Sequence, residues 1–136
     1  MMKKTVVCLV ALCSLLCACH ETLEERAERE AKEYTEKYCP TPVENFTRTD
    51  SVVFRREARA FVYYCSASGS LDNPEAFLRN KDNIAQALLS NLKQSTSLRA
   101  YKREGFAFRW VVVSSKDKNS VLFDQQFSQE DYQLRQ

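Results

Sequence analysis

The chain has 136 residues with 20 basic and 18 acidic side chains, and Lys3 and Lys4 alone account for the small positive excess. So balanced a charge provides no cationic surface of the kind that nucleic-acid-binding proteins need. With only two glycines and one histidine, the chain also lacks the glycine-rich loops that cradle phosphates and the histidine clusters that hold zinc or iron.

The N-terminal segment combines a cationic start with a short apolar run. Lys3 and Lys4 precede an uncharged, mostly apolar stretch over residues 6–16, and the small residue Ala18 follows. These features are typical of a secretory signal peptide. A transmembrane helix needs about 20 apolar residues, which this stretch does not provide. We therefore predict that residues 1–18 are a signal peptide.

The motif Leu16-Cys17-Ala18-Cys19 resembles the lipobox of bacterial lipoproteins, and the chain resembles the small lipoproteins of Gram-negative bacteria. The resemblance implies that the sulfur of Cys19 is acylated and that the mature protein is held on a membrane by this lipid. Two or more acyl chains anchor a protein stably. A histidine follows Cys19, where an aspartate would resemble an inner-membrane retention signal, so we expect the outer membrane of the cell envelope.

Two cysteines, Cys39 and Cys65, remain after the signal peptide is removed and Cys19 is acylated. In an exported protein an even number of remaining cysteines favours a disulfide, and we predict one between Cys39 and Cys65. The alternative is a pair of reduced, buried thiols. No third or fourth soft ligand is left for a cysteine-based metal site.

Residues 21–38 predict a helix, because they contain no Gly or Pro and are rich in Glu, Arg, Lys and Ala. The apolar residues of this segment recur at spacings of three and four, which places them on one narrow stripe. We expect free first turns, which act as a polar stalk, and last turns packed through Tyr34 and Tyr38. Residues 19–38 thus form the lipidated N terminus and helix, and residues 39–136 a single domain.

The remaining chain alternates strand and helix signals. Residues 51–66 predict a hairpin, since β-branched and aromatic runs flank a polar link. Asn73, followed by Pro and Glu, is typical of a helix start. Residues 106–114 alternate as a central strand does, and residues 121–127 predict a last strand.

These elements give an αββ-αββ order. Strands joined by short links pair as antiparallel hairpins. We therefore predict an α+β fold in which a four-stranded antiparallel sheet carries two helices packed on one face. The order is similar to that of PepSY-like and β-lactamase-inhibitor-like modules, a resemblance of topology that carries no function.

One charged cluster and one aromatic set are candidate binding surfaces. Arg55, Arg56 and Arg59 lie at the predicted hairpin tip, where guanidinium groups would bind phosphate or carboxylate in a bidentate manner. The alternative is an ordinary charged turn. A second set would form a stacking platform for sugar or peptide, although a core position is favoured: Tyr63, Tyr64, Phe106, Phe108 and Trp110.

Catalytic patterns are weak. The single histidine, His20, is next to the predicted lipid site and poorly placed to serve as a general base. Asp124 is an acid within an apolar strand, which an outward-facing position explains. We therefore expect no enzyme, no catalytic residue, no metal and no cofactor. The sequence favours a membrane-anchored, non-catalytic binding or accessory module that meets an envelope protein or glycan. The alternatives are an inhibitor or immunity-type protein of an envelope hydrolase, and a carboxylate-dependent hydrolase.

Overall fold

The computed structural model describes residues 20–133. The predicted signal peptide and the predicted lipid site at Cys19 lie outside the described residues, as do the last three residues of the chain. In chain order the elements are α1 (Leu23–Tyr38), β1 (Thr47–Arg55), β2 (Ala60–Ala67), a 3-10 turn (Gly69–Leu71), α2 (Pro74–Gln94), α3 (Arg99–Arg103), β3 (Ala107–Ser114), β4 (Val121–Phe127) and α4 (Gln129–Tyr132).

The strands form one sheet in the order β1-β2-β3-β4. β1 and β2 form an antiparallel pair, as do β3 and β4, but β2 and β3 are parallel. The prediction of a purely antiparallel sheet is therefore wrong. α2 has 21 residues and is about 32 Å long, so it returns the chain to the end of the sheet where β2 began. β3 starts there, with Ala107 beside Ala60, because parallel neighbours are joined by such a crossover.

α1 packs on the sheet through its small residues. Ala27 and Ala31 are buried, at 0% and 3% exposure, whereas Tyr34 and Tyr38 are 41% and 54% exposed. The expectation of free first turns is therefore wrong, and Tyr34 and Tyr38 are not the residues through which the helix docks. The two alanines let the helix backbone approach β1 closely, and the larger tyrosine rings remain outside the contact.

Side chains from α1 and from the loop after it occupy the outer edge of β1. The Thr35 hydroxyl donates to the Val52 carbonyl and accepts from the Val52 amide, both at 2.8 Å. Further along the edge, the Thr49 amide donates to the Thr41 hydroxyl at 2.9 Å. An open strand edge is a template for pairing with another chain, so these bonds protect β1 from edge-to-edge association.

A row of four phenylalanines crosses the covered face of the sheet: Phe54, Phe61, Phe108 and Phe127 are paired from strand to strand. Adjacent rings are close, with centroids 5.1 Å apart for Phe54 and Phe61 and 5.6 Å apart for Phe61 and Phe108. Four helices, rather than the two predicted, contribute to the core on this face, through Ala27, Leu92, Tyr101 and Tyr132. The predicted fold has only two helices on this face, and it does not include the short helices α3 and α4.

The C-terminal end of α2 is capped by a lysine from α3. The Lys102 ammonium donates to the carbonyl oxygens of Leu92, Lys93 and Ser95 at 2.7, 3.1 and 2.8 Å. The last carbonyls of a helix have no partner within the helix. A cation there also interacts favourably with the helix dipole, so Lys102 fixes α2 and α3 to one another.

Replacement of Lys102 by methionine is expected to lower the free energy of unfolding by about 2 kcal/mol, since three hydrogen bonds from a charged donor are lost, although the Leu92 carbonyl still accepts from the Ser95 amide at 3.3 Å. Equilibrium unfolding in urea, followed by circular dichroism, measures the change. Lys118→Met, in the exposed turn between β3 and β4, is the matched control, with an expected change below about 0.5 kcal/mol. Equal effects of the two substitutions would contradict the capping role.

A groove between the helices as candidate functional site

The predicted arginine cluster lies at the turn between β1 and β2, but two of its members are bound to α1. The Arg56 Nε donates to the Glu28 carboxylate at 2.6 Å, and the Arg59 Nε lies 3.4 Å from a carboxylate oxygen of Glu24. The Arg59 guanidinium also lies over the Phe106 ring, 4.6 Å from its centroid. These contacts fasten the turn to α1, while binding of an external anion by the cluster stays a prediction.

Arg55 points to the opposite, helix-free face of the sheet. Its guanidinium donates to the Tyr64 hydroxyl at 3.3 Å. On the same face Arg109 donates to both carboxylate oxygens of Asp124, at 2.8 and 2.6 Å. The hydrogen bond from Arg109 lowers the pKa of Asp124. A general acid must be protonated before it reacts and therefore needs a raised pKa. The lowered pKa keeps the Asp124 carboxyl group ionised, which does not suit that role.

Cys39 and Cys65 are free thiols in this structure, so the predicted disulfide is not present. The reason lies in their local environments. Cys65 is buried in the sheet with its sulfur 3.9 Å from the Thr49 hydroxyl, and Cys39 occupies the C-cap position of α1. Burial raises the pKa of the Cys65 thiol to about 11 and also raises the pKa of Cys39, so both thiols stay protonated and weakly reactive at neutral pH. The alternative of two reduced thiols is the one the structure contains.

The most distinctive surface is a groove on the covered face of the sheet, between α1 and α2. Its floor is formed by Tyr63 and Trp110, which are neighbours on the parallel strands β2 and β3. Their rings are stacked, with centroids 4.5 Å apart and planes at 8°. Tyr63 lines a cleft of about 260 Å³ and Trp110 lines one of about 440 Å³. Because the two rings are in contact, the clefts adjoin, and we call them together the interhelical groove.

The walls of the interhelical groove are mostly apolar. Its lining includes six apolar residues from α1, α2 and the N-cap position of α3: Ala31, Tyr34, Ile84, Ala87, Leu88 and Leu98. The loop after α1 adds polar groups, among them Glu44 and Asn45. An apolar cleft with a few placed polar groups is the usual form of a binding site.

The floor also offers hydrogen-bond donors. Neither the Tyr63 hydroxyl nor the Trp110 ring nitrogen bonds to another residue within 20–133, and neither is buried away from solvent. Burial raises the pKa of Tyr63, so its hydroxyl remains a neutral donor. Tyr and Trp combine a large apolar face with one polar group, and this pair can therefore bind both an apolar side chain and a carbonyl oxygen.

One end of the groove is closed by a hydrogen-bonded contact between α1 and α3. The Tyr101 hydroxyl donates to the Glu30 carboxylate at 2.6 Å, and Arg26 donates to the same carboxylate at 2.8 Å. Burial acts to raise the pKa of Glu30, but the bonds from Tyr101 and Arg26 outweigh it and the pKa is lowered. The carboxylate is therefore charged at neutral pH and fixes the spacing between the two helices.

The segment beside the other end of the groove exposes large apolar side chains. Tyr38, Val43 and Phe46 are each more than half exposed. Tyr38 is the last residue of α1, and Val43 and Phe46 lie between it and the start of β1, in a segment from which other residues line the groove. Asn45 and Phe46 both have positive φ, 52° and 64°. The Phe46 carbonyl accepts from the Ser68 amide at 2.8 Å. Positive φ is rare for a bulky residue, so the loop displays an aromatic ring where the backbone would favour glycine.

Sequence reasoning identified the aromatic set but not the groove. Phe106 and Phe108 are fully buried, as the favoured core interpretation predicts. Tyr64 lies on the helix-free face, and Tyr63 and Trp110 are half-buried on the groove floor. Strand alternation fixes which face each ring occupies. The gap between the helices above the rings depends on how α1 and α2 pack on the sheet.

Other kinds of site are not found in the described part of the chain. Residues 20–133 contain no group of three or more His, Cys, Asp or Glu side chains placed to hold a metal ion. Among the same residues, no helix combines the length and the apolar character required to cross a bilayer. The interhelical groove is therefore the candidate functional site that the geometry offers.

Two bacterial proteins of known structure share this fold. A Pseudomonas aeruginosa protein described as secreted superposes with a TM-score of 0.69 at 14% identity, over 84% of this chain and 100% of that one. The pilotin EpsS of the Vibrio vulnificus type 2 secretion system superposes with a TM-score of 0.63 at 12% identity, over 83% of this chain and 94% of that one. At these identities the similarity shows a shared fold.

The chain belongs to the family described as domain of unknown function DUF8479, which matches residues 22–123. The match spans α1, the whole of the interhelical groove and the first three residues of β4. Comparison of the sequence with curated proteins gave no match.

Proposed function

We propose that this protein is a lipid-anchored, non-catalytic accessory protein of the bacterial cell envelope, which binds an apolar segment of another envelope protein in the interhelical groove. The observation that carries the proposal is the stacked pair of Tyr63 and Trp110, which is only partly buried on the groove floor between two helices. Exposed apolar surface of this kind marks interaction sites, and Trp and Tyr contribute most of the binding energy at many protein interfaces.

The shape of the groove favours a protein segment as its ligand. The floor follows β2 from Phe61 to Cys65, about 13 Å along the strand. α1 and α2 line its two sides, and an amphipathic segment that lies between them can bury a row of side chains. The Tyr63 hydroxyl and the Trp110 ring nitrogen, which bond to no other residue within 20–133, can bind carbonyl oxygens of the segment or of its side chains.

The envelope setting is supported by the sequence and by the comparisons. The motif that ends at Cys19 resembles a lipobox, and a protein of the same fold is a pilotin of a type 2 secretion system. We therefore propose an outer-membrane location, with a secretion-system or other envelope protein as the partner. The anchor itself is tested by the intact mass of the protein purified from membranes, which should equal the chain from Cys19 with its acyl groups.

The alternative functions have less support. An inhibitor that plugs a cleft needs a protruding loop, but the loop after β2 is held by a hydrogen bond from Ser115 to Asp72 at 3.0 Å, and the turn between β1 and β2 is bound to α1. A carboxylate-dependent hydrolase needs a poised acid. The low pKa of Asp124 does not favour that role.

Replacement of Ala87 by arginine is expected to reduce partner binding at least tenfold, because a long cationic side chain is placed over the apolar groove. Ala87 is an exposed residue of α2 that lines the groove, so the core is left intact. The measurement is the enrichment of proteins that copurify from detergent-solubilised envelopes, quantified by mass spectrometry.

Gln86→Arg is the matched control, since it adds the same side chain to the same helix at an exposed position that does not line the groove. A protein enriched equally by wild type and Gln86→Arg, and lost with Ala87→Arg, would support the proposal. Equal enrichment by all three would contradict it. Trp110 is the only tryptophan of the chain, so its emission spectrum should also shift when the purified partner is added.

A further inference from the structure

The start of α1 is close in sequence to the predicted lipid site. Leu23 is the first residue of α1 and follows Cys19 by four positions, which span at most about 14 Å when fully extended. Within this link, the Glu21 carboxylate accepts hydrogen bonds from Arg29 at 2.7 and 3.0 Å. Thr22 forms a capping box with Glu25. Residues 21 and 22 are therefore bound to the helix and do not form a free stalk.

The first turns of α1 are in turn fixed to one end of the sheet. Ala27 is fully buried, Glu24 pairs with Arg59, and Glu28 pairs with Arg56. The turn between β1 and β2, residues 56–59, thus lies beside the first two turns of α1. A lipid on Cys19 would hold this end of the domain close to the bilayer.

We propose that the turn between β1 and β2 faces the lipid surface, with the guanidinium groups of Arg55, Arg56 and Arg59 among the phosphate groups of the lipid headgroups. The inference rests on the lipid anchor of the proposed function. The three side chains are exposed, and arginine binds phosphate oxygens in a bidentate manner. A guanidinium has five N–H donors, so Arg56 and Arg59 can bind phosphate oxygens while they keep their ion pairs with α1.

This orientation places the open end of the interhelical groove away from the membrane. β2 starts next to the turn at Ala60 and ends at Ala67, about 23 Å away along the strand. Leu71 and Asn45, which line the groove, follow the far end of β2 or precede β1 there. The groove is then accessible to a partner in the aqueous space while the turn contacts lipid.

The test measures the distance of two engineered tryptophans from the membrane surface. The full chain is purified from membranes with Trp110→Phe, which removes the native tryptophan, and with Glu57→Trp in the turn. It is reconstituted into vesicles of phosphatidylethanolamine and phosphatidylglycerol that contain a lipid with a nitroxide on its headgroup. We expect quenching of Glu57→Trp emission by at least a factor of two.

The matched control is Asn119→Trp, in the turn between β3 and β4 at the opposite end of the sheet, for which we expect almost no quenching. Ala58→Trp is a second probe in the membrane-facing turn, and circular dichroism checks the fold of each variant. Equal quenching at both ends, or stronger quenching at position 119, would overturn the proposal.

The result is separable from the proposed function. An intact mass without acyl groups would remove the anchor, and with it both the orientation and the envelope placement. Equal quenching in an acylated protein would overturn the orientation alone. Loss of partner binding with Ala87→Arg bears on the groove and leaves the quenching pattern unchanged.

Discussion

Replacement of Phe108 by alanine is expected to lower the free energy of unfolding by about 3–5 kcal/mol. Phe108 has no exposed surface and lies at the centre of the sheet on β3. Its ring stacks on Phe61 at 5.6 Å and meets the edge of Tyr132 at 5.9 Å. Truncation would leave a cavity between the sheet and α4, which the surrounding rings cannot fill without leaving their own contacts.

Urea unfolding followed by circular dichroism measures this loss, and the Trp110 emission follows the same transition from a neighbouring position on β3. Leu78→Ala is the matched control, because Leu78 is 76% exposed on α2 and its truncation is expected to change stability by less than about 0.5 kcal/mol. A change below about 1 kcal/mol for Phe108→Ala would mean that the phenylalanine row is not the core.

The elements that sequence reasoning located correctly are those with local signals. The Asn73 side chain accepts from the Glu75 amide at 2.8 Å, as the capping pattern predicts. The alternation over residues 106–114 corresponds to β3 between two neighbouring strands. Both signals depend on a few consecutive residues and on their own backbone.

The direction of β3 has no such local signal. The antiparallel prediction applies hairpin pairing, which short links support for β1–β2 and β3–β4, to the whole sheet. However, β2 and β3 are connected by a long helix. The length of α2, and not a motif, decides at which end β3 begins. The same reasoning would have predicted the parallel pair if the rise of 21 helical residues had been compared with the length of β2.

The interhelical groove depends on a contact that joins distant parts of the chain. The sequence predicts the apolar stripe of α1, and its largest members, Tyr34 and Tyr38, are the predicted docking residues. The structure uses Ala27 and Ala31 instead. A helix held by alanines lies close to β1, and the sheet beside it is left open above Tyr63. Side-chain size along the stripe is therefore the signal that would have indicated the groove.

The second large effect on stability is expected at Ala27, a buried residue of α1. Replacement of Ala27 by arginine should lower the free energy of unfolding by about 3 kcal/mol or more, because Ala27 has no exposed surface. The new side chain must push α1 away from β1 or leave a charge without a partner at the interface. Displacement of α1 would also remove one wall of the groove, so partner binding should fall with stability.

Tyr38→Arg controls for the added charge and for the new side chain, since Tyr38 lies on the same helix and is 54% exposed. It is expected to change stability by less than about 1 kcal/mol. Both variants are measured by urea unfolding, and hydrogen exchange of the β1 amides reports whether α1 still covers the strand edge at Val52. A free stalk would tolerate arginine at either position, so similar stability of the two variants would contradict the docking of α1. Greater exchange at Val52 in Ala27→Arg alone is the result that a docked helix requires.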